Sequence, residues 1–453
     1  MIAIVGGGIT GLAAAYELTA RRMPFQLFEA SSRLGGLIQT EHVDGFTIEA
    51  GPDSILAQKP AAIELCESLG LGPRLISTDE PRTAFVMKHG RLYPLPSPSV
   101  LGIPITWRGI MEYELLSPVA RARLALEPFI PPRRDAGDES VGEFFRRRFG
   151  GDTVDLVAEP LLGGIHAGDV DALSMTSLFP RFVEAEARRG SVLRSLRNTR
   201  QPSAGDGLFR SLAGGMGELV TALERRMPEG SIRCSAPVAA IVKDGNRWHV
   251  SAAGTTATAR AIIIAAPARV ASDLMRPIDE RAGSLCGEVP YVSTVSVALA
   301  WPRSAVAHPL EGSGFVVARR HNDVRITACT WVSSKWSGRA PAGAVLLRVF
   351  AGGAHDPGVV DLPDDEIVDI ARRGLSGVLG MSGAPLVTRV FRWRDAGAQH
   401  NVGQIARVSK IEKRLAAHPG LFVAGSGFRS VGIPDCVADG RAAAAAACTS
   451  IND

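Results

Sequence analysis

Three glycines, Gly6, Gly8 and Gly11, follow the apolar run Ile2-Ala3-Ile4-Val5 and precede a stretch from Leu12 to Leu18 rich in good helix formers. That pattern suits a nucleotide diphosphate. Gly6 permits a tight turn, Gly8 lets a diphosphate approach the backbone, and Gly11 lets helix and strand pack closely. The helix start, with Ile9 and Thr10, offers unpaired N–H groups and the positive end of the helix dipole to the phosphates. A second strand, Phe25 to Phe28, ends on Glu29. A carboxylate there accepts hydrogen bonds from ribose hydroxyls and disfavours a 2′-phosphate, which argues against NADP. Strand, glycines, helix, strand and acid in register predict a dinucleotide site.

The segment from Glu29 through Ala30, Ser31, Ser32, Arg33 and Leu34 to Gly35 and Gly36 separates FAD from NAD. It resembles the acid-then-double-glycine signature of the large FAD family that includes amine oxidases and phytoene desaturases. The resemblance implies that Arg33 and the Gly35–Gly36 backbone help hold an FAD diphosphate. In such proteins the FAD domain is discontinuous, and this chain has matching returns. Gly214-Gly215-Met216-Gly217 precedes a helical stretch from Glu218 to Met227. The segments Val238 to Val242 and Ala261 to Ala266 read as strands. Near the end, Gly420 to Gly425 is another apolar strand running into a turn. Val431-Gly432-Ile433-Pro434-Asp435 then opens a helix from Cys436 through the alanine run. Pro434 is tolerated near a helix start because its missing N–H would be unpaired there anyway.

The fold class expected is α/β. A discontinuous Rossmann-like FAD-binding domain (1–85, 205–274 and 405–453) would carry an α+β substrate-binding domain (275–404). A helical, Arg-rich and Pro-punctuated region (86–204) would lie between the first two FAD pieces and, as the family resemblance implies, lean on a membrane.

The 453 residues suffice for two or three domains, with 46% hydrophobic and 21% charged residues. A net charge of +4 gives no reason to expect nucleic acid. Six cysteines without a CxxC pair read as reduced thiols of a cytoplasmic protein. No two histidines stand at ligand spacing, so no metal is expected. A strand that begins at residue 2 leaves no room for a leader peptide. No apolar stretch approaches the ~20 residues that span a bilayer.

Further blocks make the resemblance specific. They are Gly51-Pro52-Asp53-Ser54-Ile55, Ser68-Leu69-Gly70-Leu71, and Glu159-Pro160-Leu161-Leu162-Gly163-Gly164-Ile165-His166-Ala167-Gly168-Asp169. Arg339-Ala340-Pro341, Phe350-Ala351-Gly352-Gly353, Trp393 and Gly432-Ile433-Pro434-Asp435-Cys436 complete the set. With these the chain resembles the protoporphyrinogen/coproporphyrinogen oxidase family over nearly its whole length. The resemblance implies FAD contacts at Gly6, Gly8, Gly11, Glu29, Arg33, Gly36, Gly51 to Ser54, the Val238 backbone, Trp393, Gly425, Val431, Gly432 and Ile433. Gly164, Ala167 and Phe350 would border the tetrapyrrole. Four departures stand out. His166 replaces a common aromatic, Ala398-Gln399-His400 replaces Pro-Gln-Tyr, and Gln404 replaces a frequent histidine. An arginine found after the Leu-Pro segment of eukaryotic members has no counterpart near Leu95-Pro96-Ser97. His166 and His400 are therefore candidates for a substrate propionate or pyrrole N–H.

The chemistry implied is six-electron oxidation of protoporphyrinogen IX or coproporphyrinogen III in haem biosynthesis, with O2 as acceptor and hand-off to a ferrochelatase. Positioning carries most of such catalysis, so no side chain is assigned as catalytic acid or base. Two other readings stay open, an amine oxidase and a non-catalytic tetrapyrrole carrier. Leu37, where amine oxidases place arginine, counts against the first. The arginines at 181, 188, 189, 194, 197 and 200, and the Arg146-Arg147-Arg148 run, read as solvated charge or as a surface for anionic lipid, a substrate with several carboxylates or a partner enzyme.

Overall fold

The computed structural model describes residues 1–133, 135, 137–197, 207–429 and 431–452. Arg200 and the domain boundary expected at 204/205 lie outside them.

Ile2–Val5 is buried along its whole length, as a strand must be when both faces of its sheet are covered. It pairs in parallel with Phe25–Phe28 and Ala261–Ile264. Ile232–Arg233 joins the first of these and Leu421–Val423 the second, completing a five-stranded parallel sheet. The sheet thus gathers strands from the beginning, middle and end of the chain. One face is covered by Ile9–Ala20 and the C-terminal helix Ile433–Asn452, through residues such as Leu12, Leu18, Val437 and Ala444. The other face packs under Ala268–Met275, Glu280–Gly287, Gln404–Leu415 and Trp248 of a three-stranded antiparallel sheet.

A seven-stranded sheet forms the second layer system. Its order is Val387–Ala398, Tyr291–Pro302, Ala344–Gly352, Ile326–Trp331, Gly314–Val317, Ala84–Lys88 and Arg91–Pro94. Two expected boundaries fall inside elements. The one at 85/86 falls inside Ala84–Lys88, which pairs in parallel with Gly314–Val317, so residues 84–94 extend this sheet instead of opening a helical region. The one at 274/275 falls inside helix Ala268–Met275. The following helix, Glu280–Gly287, packs Leu285 and Cys286 against the five-stranded sheet. In both places the chain crosses between layers later or earlier than local composition suggests.

The helical portion closes on Phe144, Phe145, Phe149 and Phe182. Helix Val141–Arg148 starts at a complete capping box, Ser140 with Glu143. Of its Arg146-Arg147-Arg148 run only Arg146 is exposed, paired with Asp171 at 3.0 Å. Arg148 is wholly buried on Glu127, while Arg147 bridges Glu139 and Glu186. Glu127 also accepts from Ser191 Oγ and the Val192 and Leu193 N–H groups, so one buried carboxylate caps helix Val192–Arg197. Arg181, Arg188, Arg189 and Arg194 are exposed.

Candidate functional site: a glycine-rich dinucleotide turn beside the seven-stranded sheet

The Gly6–Gly11 turn has the geometry its glycines promise. A Cβ on Gly11 would lie 1.9 Å from the Gly6 carbonyl, so only glycine lets the helix sit this close to its strand. Above Gly8 the space is open, with nothing nearer a hypothetical Cβ than Gly36 Cα at 4.0 Å. No side-chain oxygen caps the helix at Gly8, so its first-turn N–H groups, those of Ile9, Thr10 and Gly11, face that space uncapped. Gly8 and Gly35 bridge as neighbouring strands would, placing the double glycine against the turn. Glu29 accepts from the Gly7 N–H at 2.6 Å and from the Ser31 N–H at 2.7 Å, which fixes its carboxylate at the strand end. Ala30 is exposed beside it. Arg33 donates to the Leu34, Gly36 and Ile38 carbonyls. Its first task is therefore to shape the glycine loop. Ala236 N–H donates to the Glu29 carbonyl, which brings Val238 alongside. An open diphosphate cradle, uncapped helix N–H groups and a fixed ribose-side acid fit an FAD.

The C-terminal pieces meet the same turn. Gly425, with φ +109°, lies against Thr10, and its N–H is held by Asp439 at 2.7 Å. Burial pushes the Asp439 carboxyl above its ordinary range. Val431 and Gly432 lead into helix Ile433–Asn452, and Ile433 is buried in the core of the five-stranded sheet. Lys59 reaches Asp435 at 2.6 Å, tying the helix after the Gly51–Ser54 turn to that start.

The Gly51 turn is set by close approach. A Cβ on Gly51 would lie 1.9 Å from the Leu37 carbonyl and 3.6 Å from the Trp393 ring. Pro52 is half-buried in the turn. Trp393 donates from Nε1 to Ala50 O at 3.0 Å. The Asp53 side chain turns inward, with Lys335 at 3.1 Å, Arg348 at 3.4 Å and the Ser54 hydroxyl bonded to it. Burial alone would raise the Asp53 carboxyl, but Lys335 and Arg348 hold it well below the usual carboxylate range. The Asp53 side chain is thus fully engaged, and its carbonyl accepts from Ser211 Oγ at 2.7 Å.

The Glu159-Pro160 block lies in a ten-residue π-helix, Val154–Gly163, followed by one turn, Gly164–His166. Such wide turns recur at functional sites, and here Pro160 sits within one. Ala167, with φ +50°, ends the turn and accepts from the Ala354 N–H at 2.8 Å, just past the strand carrying Phe350. Nothing lies within 4 Å of a Cβ placed on Gly164, so that position opens on space. His166 stands edge-on to Phe179 at 5.7 Å, and burial, then His400 and Lys59, lower its pKa to about 4. It is neutral at pH 7.

His400 is not free for a substrate. It is buried, Nε2 donates to Ser426 O at 2.8 Å, and Nδ1 lies 3.1 Å from the Ser177 hydroxyl, which donates to it. Gln404 Nε2 donates to the next two carbonyls, Gly427 and Phe428. The two departures from the family pattern thus act together and pin the turn after Gly425. Sequence reading also missed Asp439, Arg348 and Lys335. Single charged residues inside apolar strands or helices gave no local signal of a shared burial site.

The parallel sheet, its uncapped glycine turn and the mixed seven-stranded sheet beside it define a two-part dinucleotide-binding protein. The model of the flavin containing amine oxidoreductase family matches residues 9–448. The chain belongs to that family and binds FAD. It is 36% identical to a coproporphyrinogen III oxidase of Bacillus subtilis (strain 168), over 99% of this chain and 98% of that one. It is 28% identical to the chloroplastic protoporphyrinogen oxidase 1 of Spinacia oleracea, over 96% of this chain and 81% of that one. A crystal structure described as that of a putative protoporphyrinogen oxidase from Exiguobacterium sp. 255-15 superposes with a TM-score of 0.88 at 32% identity, covering 100% of this chain and 99% of that one. Cyclohexylamine oxidase from Brevibacterium oxydans shares the fold, with a TM-score of 0.73 at 17% identity.

Proposed function

We propose that the protein oxidises coproporphyrinogen III to coproporphyrin III, with FAD as cofactor and O2 as final acceptor, in haem biosynthesis. The observation that carries the reading is Arg348, which donates to the Gly51 carbonyl at 2.7 Å and lies over the Phe350 ring at 4.7 Å. The turn assigned to the flavin and the ring assigned to the tetrapyrrole thus share one neighbour. Full-length likeness to coproporphyrinogen III oxidases supports the choice of substrate.

Bound FAD supplies a two-electron hydride acceptor. The residues bind, orient and exclude water. Gly6, Gly8, Ile9, Thr10, Gly11, Gly35 and Gly36 seat the diphosphate, with Arg33 shaping their loop and Glu29 with Ala30 on the ribose side. The backbones of Gly51 to Ser54, Val238, Gly425 and Val431 to Ile433, with the Trp393 ring, hold the rest. Gly164, Ala167 and Phe350 border the macrocycle, and neutral His166 offers one donor and one acceptor to a pyrrole N–H or propionate. Reaction rate then rests on holding the methylene bridge at the flavin in a dry slot.

The test is aerobic incubation with coproporphyrinogen III, protoporphyrinogen IX and a panel of amines, following porphyrin fluorescence and peroxide. Porphyrin and peroxide from coproporphyrinogen above the non-enzymatic rate are expected. Turnover of an amine and of neither porphyrinogen would sink the reading. For peripheral membrane contact, the surface is the face with Trp107 50%, Met111 66% and Phe129 74% exposed, beside Arg194 and Arg197. Among the described residues no helix is long and apolar enough to cross a membrane. Co-sedimentation with anionic but not neutral liposomes at low salt is expected; equal recovery with both counts against the contact.

A further inference from the structure

We propose that Arg348 is a positioning residue that couples occupancy of the porphyrin pocket to the grip on FAD. The proposal deepens the reading above and rests on it. Three successive carbonyls of the flavin-side segment are held by side chains of the seven-stranded sheet. Arg348 Nη1 donates to Glu49 O at 3.1 Å and to Gly51 O at 2.7 Å, and Trp393 Nε1 takes Ala50 O between them at 3.0 Å. Arg348 and Phe350 lie two apart on one strand, hence on the same face, which is why the guanidinium plane can cover the ring. A fourth contact runs to Asp53 at 3.4 Å, itself bound to Lys335 and Trp336.

Arg348 is 5% exposed, and its Nε lacks a partner. It borders a small cavity lined also by Glu49, Asp53, Trp336 and Arg339. A planar fork with several donors serves two carbonyls, a carboxylate and a ring at once; an ammonium cannot. A macrocycle pressing on Phe350 would fix the plane of the guanidinium and with it the Gly51 turn. Porphyrin would then tighten FAD, and FAD would tighten porphyrin by the same factor, as linkage requires.

The experiment is the FAD dissociation constant of the full chain, with and without saturating coproporphyrin III, the unreactive product. In the wild type, porphyrin is expected to lower it by at least about fivefold. In Arg348→Lys the charge beside Asp53 is kept, so the protein folds and binds FAD more weakly, but the ratio falls to about one. Phe350→Leu at saturating porphyrin should lose the ratio as well. A merely structural arginine would shift Tm and FAD affinity and leave the ratio alone. A wild-type ratio of one with both ligands bound, or an unchanged ratio in either variant, overturns the proposal. If Arg348→Lys fails to fold, Phe350→Leu decides alone. A wild type that binds no FAD or no coproporphyrin III removes the functional reading, and this proposal with it.

Discussion

Glu29 and His166 show how single side chains are set by their neighbours. Both Glu29 oxygens are engaged, by the Gly7 N–H and by Ser31, so the carboxylate is in place before any ribose arrives. Hydrogen bonds to a charged group contribute about 1.5–3 kcal/mol. Glu29→Ala should therefore raise the FAD dissociation constant by roughly tenfold to a hundredfold, read by flavin fluorescence titration, with the circular dichroism unchanged. His166 has a folded pKa of about 4 against the ordinary 6.5. Below pH 6.5 the unfolded chain takes the proton first, so stability falls as pH drops from 6.5 toward 4. His400, also lowered by burial, adds a slope of the same sign. Tm measured across this window should decline less steeply in His166→Phe than in the wild type. Equal slopes would show that His166 titrates as in water.

Elements matter through their ends and their buried ions. Removing the Ser140 hydroxyl breaks the capping box of Val141–Arg148. Ser140→Ala should cost about 1 kcal/mol, seen as a lower urea midpoint with an unchanged slope. Asp53 lies between Lys335 and Arg348 at the join of the Gly51 turn and the seven-stranded sheet. Asp53→Ala leaves two cations unpaired out of water, and a loss of about 3–5 kcal/mol is expected by the same titration. A loss below 1 kcal/mol would mean that the two cations find other partners.

Across the whole molecule, FAD would touch strands, turns and helices drawn from both ends of the chain, so its binding free energy becomes folding free energy. Stripping the flavin should lower Tm, and adding FAD at about a hundred times its dissociation constant should restore about 2.7 kcal/mol. Gly11→Ala, with its Cβ aimed at the Gly6 carbonyl, should yield a protein that FAD no longer stabilises.

The glycine turn, the acid at Glu29 and the strands Ala261–Ile264 and Leu421–Val423 were legible in the residues themselves, because they depend on local conformation and on runs of apolar side chains. So was the FAD class, carried by motifs a few residues long. Where the chain crosses between layers, at Ala84–Lys88 and Glu280–Gly287, depended on pairing and packing with segments far away in sequence. The same holds for charge. Arg148 and His400 look like surface or substrate groups in one dimension, and only the folded chain supplies the partners that bury them. An ion or ring nitrogen enters the interior only where distant residues satisfy it, and that is a property of tertiary structure.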